Sequence, residues 1–299
     1  MASPILVYVH DDLDGWASAG VVFRYLGYDS RSAGRERVAV VYHDYSGPLA
    51  VLPERGQEVY ALDLALTARD LNRLAETGAR VTWIDHHASS IRLRPNMSLP
   101  ADWRIVLSTE SCAAVLTWKT LMGSATVPEV LRLVDHHDRW TFSDAERPLI
   151  LALDHRVRAE GGKAFWCWDY CMGTNIPVDI REDLERDGAV LAESADARVE
   201  ALAKDARLAV IDGYDALIVN SAWDRNELAN QLLQREFPDR IAWVWSVAQK
   251  DGRSIVRNSL RSLPGGPDVS RIAERRGGGG HAQAAGWTGT VLELLGVIG

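Results

Sequence analysis

The sequence predicts an α/β protein of two domains, a parallel-sheet domain followed by a smaller α/β domain. In the first half, short apolar runs that resemble buried strands alternate with helical segments, which is the pattern of a parallel sheet covered on both faces. A charged, alanine-rich segment follows, and after it the pattern changes to strands joined by a tight turn. The predicted domains are 1–179 and 207–299, with a linker helix at 180–206.

The elements of the first domain are apolar runs bounded by polar residues. The predicted strands lie at 5–10, 37–43, 58–64, 79–87 and 103–108. The predicted helices lie at 15–27, 68–76, 110–122 and 127–136. Thr67 is the expected N-cap of the second helix. Because ligands in parallel sheets bind beyond the carboxyl ends of the strands, the functional site is expected at that edge.

The second domain is predicted from strand and turn signals. Residues 214–220 form one strand, and two more surround an Asp251–Gly252 pair, which is typical of tight hairpins. The last signals are a helix near 268–276, a run of four glycines and a helix start in the Ala-Ala-Gly sequence that follows. The segment 180–206 could equally be an ordinary solvated surface helix.

Composition limits the classes of function. The 299 residues are 47% hydrophobic, which is enough for two hydrophobic cores. The sequence contains no run of 18 apolar residues, so no membrane span is predicted. The N-terminal apolar stretch has no basic leader and is expected to be the first strand. Cys112, Cys167 and Cys171 are expected to be small buried residues in a reduced, cytoplasmic protein. A net charge of -8 argues against a broad electrostatic grip on long nucleic acid.

Acidic and histidine side chains stand at the ends of three predicted strands of the first domain. The first strand runs into His10, Asp12 and Asp14, the third carries Asp63, and the fourth ends in Asp85, His86 and His87. Carboxylates gathered at one edge repel one another, and divalent cations remove that repulsion. Asp and His are also the ligands of mixed sites for Mn, Fe or Zn.

Each of these signals alone has an ordinary explanation. The run HDDLDG is a common turn or helix cap, Asp63 could cap a helix, and His86 and His87 could be one buried and one exposed histidine. The stretch DHHDRW at 135–140 follows a predicted helix and could be surface. Four such clusters at strand–helix junctions are hard to obtain by chance, and a two-metal site explains all of them.

The motifs HDDLDGWASAG, ALDLAL, IDHH, ESCAAVLTW, DHHDRW and GGGGHAQAAG stand in the order seen in the DHH phosphoesterase superfamily. The chain resembles this superfamily over essentially its whole length, and its end resembles the DHH-associated substrate domain. The spacing is most similar to the branch of oligoribonucleases (nanoRNases) and cyclic-nucleotide phosphodiesterases. The resemblance implies hydrolysis of a phosphoester or phosphoanhydride with two metal ions, usually Mn²⁺, for which Mg²⁺ could substitute.

The resemblance also implies a ligand set. One metal would be held by His10 and Asp12, the other by Asp14 and His86, and Asp63 would bridge them. A further Asp is needed, and the sequence offers Asp135 and Asp138. Asp138 is preferred, because Phe142 stands four residues after it as in the family pattern.

The remaining implied roles concern the phosphate and the substrate. Asp85 would orient His86 or His87, and His87 would face the scissile phosphate. The substrate-binding candidates are Arg261, Gly278, Gly279, Gly280 and His281. The glycines would let their amides approach an anion, although a glycine run can also be a flexible linker.

The expected function is therefore a manganese phosphodiesterase that acts on short oligoribonucleotides or on small cyclic or linear nucleotides. The alternatives are a phosphatase for 3'-phosphoadenosine 5'-phosphate, a single-strand DNA exonuclease, a pyrophosphatase or polyphosphatase, and a nucleotide-binding sensor without catalysis. Neither long duplex nucleic acid nor a membrane is an expected partner. The oligomeric state stays open, with a homodimer as one option.

Overall fold

The computed structural model describes residues 4–28, 37–43, 48–123, 126–159, 173–223, 225–236, 239–250 and 252–290. The chain divides into two compact units, Met1–Ala192 and Glu193–Gly299. Within the described ranges, no helix has the length and apolar character needed to span a bilayer. Cys167, Cys171 and the turn residue Asp251 lie outside the described residues.

The first unit is built on a five-stranded sheet in which every neighbouring pair is parallel. The strands are β1 Ile5–His10, β2 Val38–His43, β3 Glu58–Leu62, β4 Arg80–Asp85 and β5 Arg104–Leu107. Their order across the sheet is β2-β1-β3-β4-β5. The carboxyl ends of β1, β3 and β4 therefore lie side by side at one edge, in the middle of the sheet.

Helices cover both faces of this sheet. They are α1 Leu13–Tyr25, α2 Ala68–Thr77, α3 Ala88–Leu93, α4 Ala113–Met122, α5 Glu129–Asp138, α6 Arg147–Ala159 and α7 Val178–Ala203, which extends into the second unit. Alternate residues of β1 enter different cores, because successive side chains of a strand point to opposite faces. Val7 and Val9 pack with α1, α4 and α5, whereas Leu6 and Tyr8 pack with α2. The predicted fold class is confirmed for this domain.

Several elements have bounds that differ from the predicted ones. α1 begins at Leu13 rather than at 15, because the Asp12 side chain caps it. α4 begins at Ala113 rather than at 110, and α5 runs to Asp138, so that the sequence DHHD closes the helix instead of following it. The prediction of 79–87 as one strand was too long, since β4 ends at Asp85. Helices α3 and α6 were not predicted.

The second unit contains a mixed six-stranded sheet, in the order β10-β11-β9-β8-β7-β6. The strands are β6 Arg207–Ile211, β7 Tyr214–Asn220, β8 Ile241–Lys250, β9 Arg253–Arg261, β10 Gly279–Gly280 and β11 Ala284–Gly289. Only the β7–β8 pair is parallel. The helices are α8 Arg225–Glu236 and α9 Val269–Glu274, and each belongs to a separate apolar cluster. The predicted hairpin is present, with Lys250 paired to Arg253.

One secondary-structure prediction in this unit was wrong. The Ala-Ala-Gly sequence does not start a helix but opens β11, in which Ala284 pairs with Arg261 of β9. Alanine has the highest helix propensity, but such intrinsic preferences are weak compared with tertiary contacts, and here strand pairing overrides them. Gly286 makes the pairing close, because a Cβ there would lie 2.5 Å from the Asn258 carbonyl oxygen.

Candidate metal centre

The end of β1 brings His10 and Asp12 together. Asp12 Oδ2 lies 2.6 Å from His10 Nδ1, and Asp12 Oδ1 accepts a hydrogen bond from the Gly15 amide at 3.0 Å, which caps α1. Gly15 is required here, since a Cβ would lie 2.1 Å from the His10 carbonyl oxygen. Burial opposes charging of both groups, but their mutual attraction outweighs it. The pKa of Asp12 is held well below its usual value and the pKa of His10 is raised.

Asp14 lies at the start of α1 but binds the start of α4. Its two carboxylate oxygens accept hydrogen bonds from the Ala113 and Ala114 amides, both at 2.8 Å. The sequence shows no sign of this link, which joins residues 99 and 100 positions apart. Burial raises the pKa of Asp14 to about 6, and the nearby Asp138 charge adds to this effect.

Asp63 stands at the centre of the cluster. It directly follows β3 with φ at 55°, a left-handed conformation that is uncommon for a residue with a side chain. Its Oδ1 lies 3.1 Å from His86 Nε2, and its Oδ2 lies 3.9 Å from His10 Nδ1. Burial, and then the charges of Asp12 and Asp14, raise the pKa of Asp63 well above its usual value.

At the end of β4, Asp85 holds the two histidines that follow it. Asp85 Oδ1 accepts hydrogen bonds from the His86 amide at 2.8 Å and from His87 Nδ1 at 2.7 Å. Its Oδ2 accepts from the Ser90 hydroxyl at 2.5 Å. Burial opposes ionisation of the pair, but their attraction prevails. It holds the pKa of Asp85 well below its usual value and raises the pKa of His87 to about 9.

The two candidates for the last acidic ligand have different surroundings. Asp138 Oδ2 lies 3.5 Å from His86 Nδ1, and this buried oxygen makes no hydrogen bond within the described parts of the chain. Asp135 Oδ1 instead accepts from the Cys112 amide at 2.6 Å, at the start of α4. Asp135 also faces Arg139 at 3.5 Å. Asp138 is thus turned toward the cluster, and Asp135 caps a helix.

The potential ligand atoms form overlapping groups, within each of which all atoms lie within 4.8 Å of one another. The groups in this unit are His10–Asp12–Asp63, Asp14–His86–Asp138 and Asp63–Asp85–His86–His87. Two features indicate a fit to divalent cations. Several carboxylates converge so closely that their charges help to raise the pKa of the buried Asp63, and the buried oxygen of Asp138 has no hydrogen bond in the described structure. Mixed carboxylate and imidazole sites suit Mn, Fe or Zn.

The substrate-binding candidates of the second unit lie around β9, β10 and β11. Arg261 ends β9, and its guanidinium donates to the carbonyl of Leu260 and to the side chain of Asn226. His281 follows β10 in a tight turn, and its amide donates to the Ala284 carbonyl at 2.7 Å. Gly279 and Gly280 form β10 itself. These residues all lie in the part of the sheet formed by β9, β10 and β11 or in the turn that follows β10.

At Gly278 the backbone amide already has a hydrogen-bond partner within the fold. Its amide donates to the Ala273 carbonyl at 2.9 Å and thereby ends α9, together with the left-handed Gly277. A Cβ at Gly278 would lie 2.0 Å from the Gly286 carbonyl oxygen, and one at Gly280 would lie 2.5 Å from that of Ala284. These glycines allow two backbones to approach each other.

Comparison with known proteins assigns the second unit to a family. Residues 209–297 match the model of the DHHA1 domain. The first unit carries the DHH motif at the end of β4. Together, the DHHA1 match and the DHH motif support a place for the chain in the DHH phosphoesterase superfamily.

Two solved structures share the fold at low identity. The DHH domain of a member of a family of ribosomal proteins overlays with a TM-score of 0.57 at 12% identity, covering 95% of this chain and 82% of that one. An exopolyphosphatase-related protein from Bacteroides fragilis overlays with a TM-score of 0.50 at 14% identity, covering 98% and 89%. No curated protein sequence matches the chain.

Proposed function

We propose that this DHH protein is a manganese-dependent phosphodiesterase that hydrolyses short oligoribonucleotides or small cyclic or linear nucleotides. The observation that carries the proposal is the position of Asp63. Its two oxygens face different partners, Oδ1 toward His86 and Oδ2 toward His10. A carboxylate placed in this way can bridge two cations, and two-metal sites are typical of phosphodiester hydrolysis.

We assign the ligands to two groups that share Asp63. His10 and Asp12 would hold one ion, and Asp14, His86 and Asp138 the other. Two divalent ions would neutralise charge on the phosphate and supply an activated water at neutral pH. Imidazole ligands favour Mn²⁺ over Mg²⁺.

The protein's own groups then position the phosphate. Asp85 fixes the His87 ring through Nδ1, so we assign the other ring nitrogen, Nε2, to the scissile phosphate. His87 is 9% exposed, and therefore it can reach a bound molecule while remaining fixed by its neighbours. Holding the phosphate in one orientation lowers the barrier by reducing the entropy lost in the reaction.

We assign Arg261, His281 and the β10 glycines to the binding of a terminal phosphate or nucleotide. The support is chemical. Arg261 and His281 carry cationic or hydrogen-bonding groups within the matched DHHA1 domain, and arginine binds phosphate oxygens in pairs. Substitution of either side chain by Ala should mainly raise KM.

A substrate panel with Mn²⁺ tests the proposal. The panel comprises a diribonucleotide, cyclic mono- and dinucleotides, 3'-phosphoadenosine 5'-phosphate, pyrophosphate and a long single-stranded DNA. We expect turnover of the diribonucleotide or of a cyclic nucleotide, its loss on chelation, and a decrease of several orders of magnitude in Asp63→Ala. Preference for the bisphosphate, for pyrophosphate or for long DNA would favour the corresponding alternative. No turnover of any substrate, with nucleotide binding retained, would indicate a sensor.

A further inference from the structure

The turn after α5 contains a residue in an unfavourable backbone conformation. α5 ends at Asp138, and Trp140 follows with φ at 57°. The Trp140 amide donates to the His137 carbonyl at 3.2 Å, and the Thr141 amide donates to the His136 carbonyl at 2.8 Å. A residue in the left-handed conformation after a helix is usually glycine, because a side chain raises the conformational energy of the backbone in that region. A tryptophan at this position therefore needs another reason.

The Trp140 ring belongs to a small aromatic cluster. Its centroid lies 4.8 Å from that of Phe142, with the rings edge to face at 69°. The His137 ring lies 6.2 Å from Trp140 and 6.3 Å from Phe142. Phe142 also packs against the core of the first unit, so it anchors the cluster. All three rings are only partly buried, and thus the left-handed turn keeps a large, fixed aromatic surface accessible.

The turn that carries this aromatic surface directly follows Asp138 of the candidate metal centre. Trp140 is two residues from Asp138, a separation of at most about 7 Å between the Cα atoms. Asp138 Oδ2 in turn lies 3.5 Å from His86 Nδ1. The turn that presents the indole therefore also carries a group of the acidic cluster, and the position of one constrains the other.

We propose that Trp140, supported by Phe142 and His137, stacks against a nucleobase of the substrate whose phosphodiester lies at the acidic cluster. This inference rests on the proposed function and adds a base-binding subsite to it. Every base has a π face, so stacking on an aromatic ring gives affinity without strict base selection. The subsite predicts that the enzyme discriminates nucleotides from other phosphodiesters by the presence of a base.

The test compares Trp140→Gly with the wild type on three substrates with Mn²⁺. These are a 5'-phosphorylated diadenylate and two analogues, each lacking one of the two bases. Glycine fits the left-handed turn, so the variant is expected to fold at least as well as the wild type. We expect KM for the diadenylate to rise by roughly 5- to 100-fold, with kcat nearly unchanged. The analogue that lacks the stacked base should bind the wild type weakly and should not be affected by the substitution.

Two further variants serve as controls. Trp140→Phe keeps a ring and should recover most of the affinity. Tyr25 is the last residue of α1, at the end of the helix away from Asp12 and Asp14, and it is 48% exposed. Tyr25→Ala therefore removes an exposed aromatic ring away from the acidic cluster and should behave as the wild type. Equal losses on all three substrates, or a weaker binding of Mn²⁺ by Trp140→Gly, would mean that Trp140 only positions Asp138, and the inference would be overturned. Unchanged kinetics would overturn it as well.

A binding experiment separates this inference from the proposed function. Titration calorimetry with adenosine 5'-monophosphate and with ribose 5-phosphate needs no turnover. We expect the wild type to bind the nucleotide more tightly than the sugar phosphate, and Trp140→Gly to lose that preference. If the wild type hydrolysed no dinucleotide but this difference held, the proposed function would fail and the base subsite would stand. Equal affinities in the wild type would refute the subsite.

Discussion

Substitution of Ser90 by Ala should damage the site through a residue that is not itself a ligand. The Ser90 hydroxyl donates at 2.5 Å to Oδ2 of Asp85, which is fully buried. A hydrogen bond to a charged group contributes about 1.5–3 kcal/mol, and a buried carboxylate oxygen left without it cannot bind water instead. For a unit of this size that loss corresponds to a decrease in Tm of about 3–12 °C.

The same substitution should change catalysis and its dependence on pH. Ser90 helps to keep the pKa of Asp85 low, so Ser90→Ala raises that pKa in the folded protein. The stabilisation from a lowered carboxylate pKa is present above the unfolded value and is lost as pH falls. The difference in stability between variant and wild type should therefore be full at neutral pH and should shrink in acid. Because Asp85 fixes His87, kcat should fall more than KM rises.

The neighbouring serine provides a matched control. The Ser89 Oγ is buried and makes no hydrogen bond among the residues that the structure describes. Ser89→Ala removes the same atom one position away, and it should leave both Tm and kcat close to the wild-type values. Thermal unfolding and steady-state kinetics at neutral pH measure both variants. Equal effects of the two substitutions would refute the view that Ser90 acts through Asp85.

Three other predictions concern the metals and the substrate. The affinity of the metal-free protein for Mn²⁺ should increase as the pH rises through about 6. The pKa values of Asp14 and Asp63 are raised, so protons must leave these carboxyl groups before the metal binds. Equal affinities in titrations at pH 5.5 and pH 7.5 would contradict this prediction. Asp138→Ala should weaken metal binding, as measured by metal analysis. Asp135→Ala should keep the metal stoichiometry but lower the free energy of unfolding by about 1 kcal/mol, as measured by thermal unfolding, because the hydrogen bond from the Cys112 amide at the start of α4 is lost. The ratio kcat/KM with Mn²⁺ should be highest for RNAs of roughly two to four nucleotides. A chain with a net charge of -8 has little overall electrostatic attraction for the many phosphates of a long strand. A flat profile of kcat/KM out to about twenty nucleotides would favour an exonuclease.

The parallel sheet and the groups at its edge were predictable from local pattern. Strand ends carry their own signal, and one sheet edge collects the carboxyl ends of all parallel strands. His10, Asp63 and His86 could thus be placed together from their positions in the sequence. Their grouping in the structure follows from the strand order, in which β3 lies between β1 and β4.

The features that the sequence did not predict depend on long-range contacts. The Asp14 hydrogen bonds to Ala113 and Ala114 join elements about a hundred residues apart, and no local pattern reports such a pairing. The choice between Asp135 and Asp138 depends on which side of one helix faces His86. The strand at Ala284 was missed because strand pairing overrides local preference. The role of Gly278 was missed because its amide bonds to the Ala273 carbonyl at the end of α9, a contact that the glycine run does not reveal.

The double hydrogen bond of Asp14 limits which amino acids the position can accept. A histidine would bind a divalent cation as well as an aspartate does, but an imidazole has only one acceptor nitrogen and cannot receive two amides side by side. An asparagine has one acceptor oxygen and would turn its NH₂ group toward the second amide. The start of α4 therefore selects a carboxylate at position 14 before any metal is considered. An engineer who wishes to retune the metal preference of this site has to work at the other ligands.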